Sequence, residues 1–490
     1  MSRQIVSGSL PSGALLIGER RISQTSSGFH SQINPSTGEL LAETTMAGLI
    51  EIDQAVKSAR EAIGPWRAFT PIQRRDVMMR LADLLEKNSE EFSILRSIEL
   101  GAPMKKSKGA NMAVEYIKYF AGWVDKLEGV TIPINSQRAL NYTMPEPYGV
   151  VAALTPWNGG IVSMAMKVVP ALVAGNTVVL KPSELATLAN LRFGELFLEA
   201  GFPPGALNIV PGGVSAGEAL VKHPGVDKVS FTGGSVTARH ILMNAAINLT
   251  PVILELGGKS ANILFSDGDV QMAATTTVEL ALAGMSGQGC VLPTRMLVQE
   301  EIYEEVEELV VRMTKSLIVG RPFDEGVQAG PVITEESCNR ILQKIEDARK
   351  GGDGKILTGG NRIGGDLAKG FFIQPTVFGD VDNASSLAQE EFFGPVLSIM
   401  RFRDESDAIR LANESRFGLG GLVFTRDIGR AHRVANQLEV GSVGVNAFPP
   451  MPPSAPFGGV KQSGFGREGG LAGVNEFLRT KNVYVRLDMP

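Results

Sequence analysis

The sequence predicts an α/β protein of more than one domain, built on parallel sheets covered by helices. Three observations carry this. From Tyr148 onward, short β-rich runs alternate with helical stretches, the pattern of parallel strands with helices on both faces. A second such series follows Cys290. And 490 residues exceed what one ordinary core organises, so two or three domains are expected.

Taken in chain order, the region from Ile52 to Lys118 is helical. "DQAVKSAREAIGPWRAF" and "RRDVMMRLADLLEKNSEEFSILRSIELG" repeat apolar residues three and four apart. "GVVAAL", "NTVVLK", "ALNIVPG", "VDKVSFTGG" and "SANILF" then read as strands. "MAMKVVPALVAG", "LANLRFGELFLEAG" and "GEALVKH" read as the helices between them. Beyond Cys290, "RMLVQ" is a strand and "EEIYEEVEELVVRMTKSL" an acidic amphipathic helix. A Gly-rich surface stretch, "KGGDGKILTGGNRIGG", follows, and then "VLSIMRF", "LVFTRD" and "VGSVGVN". The closing "TKNVYVRLDMP" alternates like a strand, and a terminal strand often pairs outside its own domain, even with another subunit.

Composition removes several function classes. Hydrophobic residues are 43% and charged residues 20%, the balance of a soluble globular chain. A net charge of −5 gives no reason to expect a nucleic acid or an anionic membrane as partner. The longest apolar stretch, "IVSMAMKVVPALVAGNTVVL", is interrupted by Lys167, Pro170, Gly175 and Asn176 and is no membrane span. The N-terminus lacks the pattern of a signal peptide; a short transit peptide is the alternative to the cytoplasmic location expected here. Two cysteines, Cys290 and Cys338, make no disulfide framework and suit a reducing compartment. His30, His223, His240 and His432 are scattered, so no metal site is expected.

Several stretches carry candidate chemistry, each with a plain structural alternative. "GFGREG", Gly464 to Gly469, matches a dinucleotide fingerprint in letters, but it follows no strand and opens no βαβ unit. "VVLKPSE" ends a strand in Lys181, Ser183 and Glu184, where a ribose could bind; Glu184 would repel a 2′-phosphate. "VSFTGGSVTARH" offers the amides around Gly233 and Gly234 to a pyrophosphate at a helix start. Both could equally be ordinary strand–turn–helix junctions. Glu255 ends an apolar strand and is either a desolvated general base or a solvated strand end. Asn158 in "TPWNGG" is either an oxyanion donor or a turn residue. Cys290 in "GMSGQGCVLPTR" is either an inert thiol or a nucleophile. A helix opening at its loop would help ionise it.

The order of these pieces resembles the aldehyde dehydrogenase superfamily. "PWN", "KPSE", "FTGG", "ELGGKS", "GQxC", "EEFFGPV", "VN" and "PFGGVKQSGFGREGG" follow one another in its register, from "INPSTGEL" at Ile33 to "TKNVYV". Glu255 and Cys290 lie 35 residues apart (290 − 255), close to the family interval. The resemblance implies Cys290 as nucleophile, Asn158 as oxyanion donor, Glu255 as the base that hydrolyses a thioester, and Lys167 beside the reaction centre. It implies NAD as cofactor, with NADP the alternative. Trp157, Lys181, Ser183, Glu184, Gly233, Gly234, Glu391 and Phe393 would bind it, and Glu468 would relay protons. It also implies a Rossmann-like cofactor domain (1–126 and 147–257), a catalytic domain (258–475) and a small β oligomerisation element (127–146 and 476–490) that makes a homodimer or homotetramer.

Departures from the family pattern concern the aldehyde. Gly159 follows the asparagine, Gly284 precedes Cys290 by six residues, and Met451 lies in "NAFPPMPPSAPFGG". Relatives often place aromatics at these positions. With Ser163, these residues predict a wide pocket for a bulky apolar aldehyde, aromatic or terpenoid. Main-chain shifts, or Met164 and Met166, could instead fill the space. The alternatives are a semialdehyde dehydrogenase using Arg295 to hold a substrate carboxylate, and a CoA-acylating enzyme, whose members typically lack the glutamate at Glu255. A non-catalytic protein on the same fold is the alternative of another class.

Overall fold

The strand Val150–Thr155 is buried along its whole length, so it must be covered on both faces. Its alternation divides the cover. Val150, Ala152 and Leu154 pack with residues of the helices Leu49–Ala68, Val214–Lys222 and Ser235–Ala245. Val151 and Ala153 face the helices Pro71–Lys87, Gly109–Ala121, Gly160–Val173 and Leu188–Glu199. This computed structural model describes residues 10–104, 109–136 and 138–487. The start of the chain, read above for targeting, lies outside the described residues through Ser9.

Five parallel strands stand in the spatial order Leu207–Ile209, Thr177–Pro182, Val150–Thr155, Lys228–Thr232, Val252–Glu255. In chain order this is 3-2-1-4-5, a doubly wound sheet whose direction of winding reverses between Val150–Thr155 and Lys228–Thr232. A ligand crevice opens beyond the carboxyl ends at such a reversal. Leu15–Ile17 and Arg20–Ile22 extend one edge antiparallel.

A second sheet runs Lys355–Thr358, Thr376–Gly379, Val396–Phe402, Arg295–Gln299, Ala261–Leu264, Gly420–Phe424, Ser442–Val445. All neighbours are parallel except the first pair. It too is buried on both faces: Ile263, Leu297 and Val423 serve one core, and Leu264, Val298 and Phe424 the other. The chain then returns to the first sheet. Gly464–Phe465 pairs antiparallel with Leu254 and Glu255, and position 464 needs glycine because its φ is +110° and a Cβ there would run into the Leu254 carbonyl. "GFGREG" is therefore a strand and turn set against the strand of Glu255, with no phosphate loop in it.

Ala139–Pro147 and Leu478–Arg486 form a separate two-stranded antiparallel ribbon. Its side chains Leu140, Met144, Tyr484 and Val485 are exposed. No described helix is long and apolar enough to cross a membrane. Among the described residues no cluster of His, Cys, Asp and Glu could hold a metal ion.

Candidate active site

A cleft of about 1110 Å³ occupies the crevice where the first sheet reverses, and it gathers candidates that lie far apart in sequence. Trp157 and Asn158 come from the end of Val150–Thr155, and Lys181, Ser183 and Glu184 from the end of Thr177–Pro182. Gly233 and Gly234 follow Lys228–Thr232, while Cys290, Glu391 and Phe393 enter from the second half of the chain. Gly234 caps the helix Ser235–Ala245, and nothing lies within 4 Å of where its Cβ would be. The first-turn amides of that helix thus meet the cleft unscreened. Lys181 Nζ stands 3.9 Å from Glu184 Oε2, and burial holds its ammonium below the usual lysine value.

At the other end, Phe393 takes a left-handed φ of +53° and sets its ring edge-on to Trp157, centroids 5.7 Å apart. Glu391 accepts a hydrogen bond from Gly258 N–H at 3.1 Å, and burial raises its carboxyl above the usual range. Sequence reasoning missed Ser337 and Arg340, which line the same cleft from the helix Glu335–Gly351. Their spacing of three on an amphipathic helix was the available signal. His240 and Asn244 were also missed; they face the cleft from Ser235–Ala245.

Cys290 is half-buried in the turn between a π-helical segment, Glu279–Gly284, and the strand Arg295–Gln299. Its loop is pinned by neighbouring side chains. Gln288 Nε2 donates to the Met285 and Pro331 carbonyls (3.1 and 3.2 Å), Gln288 Oε1 accepts from Ile333 N–H (2.9 Å), and Ser286 Oγ donates to Gly330 O (2.8 Å). No helix opens at Cys290, so the expected help from a helix dipole is absent. Burial, then the Glu391 and Glu255 carboxylates, push the thiol up to about 12. Asn158 Nδ2 donates to Gln288 O at 2.9 Å, which ties the asparagine to this loop.

Glu255 ends its strand 2% exposed, and neither carboxylate oxygen has a hydrogen-bond partner among the described residues. Burial and the nearby Glu468 charge hold its carboxyl well above the ordinary range, against the pull of Lys167. Lys167 Nζ, fully buried, donates to Glu468 Oε1 at 2.5 Å and to Ser230 Oγ at 3.0 Å. Glu468 is fixed by paired backbone hydrogen bonds with Phe457, 2.6 and 2.7 Å.

The residues expected to shape the aldehyde pocket do not line the large cleft. Gly159 borders a separate cavity of about 20 Å³, and its Cβ position is already taken by the Ser163 hydroxyl. At Gly284 only the Glu279 carbonyl lies within 4 Å of a Cβ, at 3.1 Å. Met451 sits at φ +51°, its carbonyl 3.4 Å from the Tyr116 hydroxyl. Arg295 is spent: its guanidinium donates to the carbonyls of Lys259, Leu411 and Ala412 and to Asn383 Oδ1. Cys338 is buried in an apolar core, as its plain reading expects.

Comparison with known proteins adds a family. The model of the aldehyde dehydrogenase family matches residues 22–483. "Aldehyde dehydrogenase family 2 member B4, mitochondrial" of Arabidopsis thaliana is 41% identical over 482 residues, 97% of this chain and 88% of that protein. "Retinal dehydrogenase 2" of Rattus norvegicus is 40% identical over 464 residues, 93% of this chain and 88% of that one. Among solved structures, betaine aldehyde dehydrogenase of Staphylococcus aureus in complex with NAD+ superposes with a TM-score of 0.96 at 35% identity. That match covers 99% of this chain and 97% of the other.

Proposed function

Because this chain belongs to the aldehyde dehydrogenase family and is an NAD(P)-dependent oxidoreductase acting on aldehydes, we propose that Cys290 carries the oxidation through a thiohemiacetal and a thioester to the carboxylic acid. The supporting observation is that Cys290 and Asn158 share one cleft with the dinucleotide-binding candidates, while the charge of Glu255 is felt at the thiol. The thiol gives its proton to Glu255, and the thiolate attacks the carbonyl carbon, forming the C–S bond while the C=O π pair moves onto oxygen. Asn158 keeps one amide N–H beyond the one bonded to Gln288, and with the Cys290 N–H it holds the oxyanion. Bound NAD supplies the hydride acceptor. Glu255 then draws a proton from water, the water oxygen attacks the thioester carbon, and the C–S bond breaks to release the carboxylic acid and the Cys290 thiolate; Glu468, whose charge is felt at Glu255, would relay the surplus proton.

NAD fits the residues present. The unscreened helix start at Gly234 suits a pyrophosphate, Lys181 and Glu184 suit the adenosine ribose, and Glu391 with Phe393 suits the nicotinamide ribose. Glu184 favours NAD, and a swing of its partly exposed side chain would admit NADP.

For the substrate we retain a bulky apolar aldehyde, aromatic or terpenoid. Gly284 carries no side chain where relatives often place an aromatic, whereas Ser163 occupies the space beside Gly159. Relatives named for retinal and for betaine aldehyde share this fold, so the pocket decides the substrate. The spent guanidinium of Arg295 argues against a semialdehyde, and Glu255 against CoA acylation. The exposed apolar ribbon supports a homodimer or homotetramer, and two free thiols support a cytoplasmic location.

The test follows NADH absorbance. Cys290→Ala should abolish NADH formation, and Glu255→Gln should leave a single-turnover burst but stall steady turnover. A Cys290→Ala variant with undiminished turnover would overturn the assignment. In a panel of aldehydes, benzaldehyde-type substrates should exceed acetaldehyde in kcat/KM by about tenfold or more, the scale of a few buried methylenes. A preference for acetaldehyde would remove the wide-pocket reading.

A further inference from the structure

The ammonium of Lys167 has three N–H donors, of which Glu468 and Ser230 take two. Glu255 ends the strand whose Ile253 pairs with Ser230, the serine that Lys167 donates to; its carboxyl responds to the Lys167 charge, and both its oxygens lack a hydrogen-bond partner among the described residues. A buried ammonium beside an unpartnered buried carboxylate ordinarily closes into an ion pair. Here the ammonium is turned elsewhere. Its second acceptor is a serine hydroxyl, 1% exposed, on the strand Lys228–Thr232 that neighbours the strand of Glu255.

We propose that Ser230 is a positioning residue that holds the Lys167 ammonium on Glu468 and so keeps Glu255 free of an ion pair and able to act as base. The inference rests on the assignment of Glu255 above. A base tied to an ammonium is weaker, because the pair stabilises its charged form, and it is less free to reach a water. The strand fixes the hydroxyl's aim. Alternation puts Ser230 on the face opposite Val229 and Phe231, toward the helix Gly160–Val173 that carries Lys167.

The charged and titratable groups around the pair come from several elements. Glu468 and Arg467 lie on the turn after Gly464–Phe465, and Glu476 lies near the end of the chain, where Lys228 pairs with it at 3.4 Å. The Tyr116 hydroxyl, from Gly109–Ala121, feels Glu468, and Cys290 feels Glu255 and Glu468. Of these groups only Lys167 donates to Ser230.

The experiment compares pH–rate profiles and burst kinetics for the wild-type enzyme, Ser230→Ala, Ser230→Thr and Glu255→Gln, all with NAD and one good aldehyde. In Ser230→Ala the NADH burst and the NAD dissociation constant, read by tryptophan fluorescence, should stay unchanged. The acid limb of kcat should move to lower pH by about one unit, as an opposite charge brought onto a carboxylate requires. The plateau at high pH should fall by about tenfold, and Ser230→Thr, which keeps the hydroxyl, should restore both. A Ser230→Ala profile that superimposes on the wild type overturns the inference. So does a uniform loss in which burst, NAD binding and plateau fall together with no shift of the limb, which marks a merely structural role. The two readings separate cleanly: if Glu255→Gln hydrolyses normally, the assignment of the base itself fails.

Discussion

A thiol held at about 12 is almost entirely protonated at neutral pH, so Cys290, proposed above as the nucleophile, is a guarded thiol in this arrangement. Burial is the larger cause and Glu391 the next, and a cofactor ribose that engages Glu391 would draw that carboxylate's charge away from the thiol. In the cofactor-free enzyme, alkylation by iodoacetamide at pH 8 should be slow and should quicken steadily as pH rises. Glu391→Gln removes one repelling charge, lowers the thiol's pKa, and should raise that rate about three- to tenfold, the effect of half to one pKa unit. An unchanged rate would sink the argument. Cys290, Asn158 and Glu255 are each ambiguous alone in the sequence, and what singles them out is the order of the motifs around them, which resembles the family's. Nothing of the kind singles out Ser230: a strand serine is commonplace, and only folding brings it to Lys167, 63 positions away, and Lys167 to Glu468, 301 positions away. The thiol's environment is likewise illegible, since it depends on burial and on Glu391, which only folding brings against Gly258.

At the scale of elements, the parallel strands declared themselves because apolar β-rich runs buried on both faces leave a continuous hydrophobic signature. Short antiparallel pieces did not. Gly464–Phe465 is two residues long and glycine-rich, and its pairing with Leu254 and Glu255 is decided by a partner over 200 residues upstream. Ala139–Pro147 carries Pro145 and Pro147, which argue against a strand until it is seen as one half of a ribbon whose outer edge is bridged at Tyr142 by Thr131, short of the two prolines. The helix Ser235–Ala245 offers the sharpest test at this scale. Gly234→Asp places a carboxylate at its open start, where the space around the Cβ is empty, so the fold should survive with Tm changed by no more than a few degrees. NAD affinity should fall by about tenfold or more, because the new charge competes for the same amides. Intact NAD affinity would show that the pyrophosphate binds elsewhere.

For the whole molecule, the ribbon is the feature that one chain leaves unfinished. A two-stranded ribbon presenting Leu140, Met144, Tyr484 and Val485 is marginal alone, and the homo-oligomer proposed above would cover it. Tyr484→Lys together with Val485→Lys should therefore shift the species seen by light scattering toward monomer, with a lower Tm. An unchanged mass would assign the ribbon to some other contact. The path of the chain has a further consequence, for synthesis. Glu255 lies near the middle of the sequence, yet the strand beside it and the carboxylate that holds Lys167 come from Gly464–Phe465 and Glu468, near its end. A polypeptide emerging from the ribosome can wind its first sheet, and even gather the loop of Cys290, long before the hydrolytic half of the centre exists. On the mechanism proposed above, an acyl group captured by a half-made chain would wait on Gly464–Phe465 and Glu468 for its release, so the order of synthesis would set when turnover can begin.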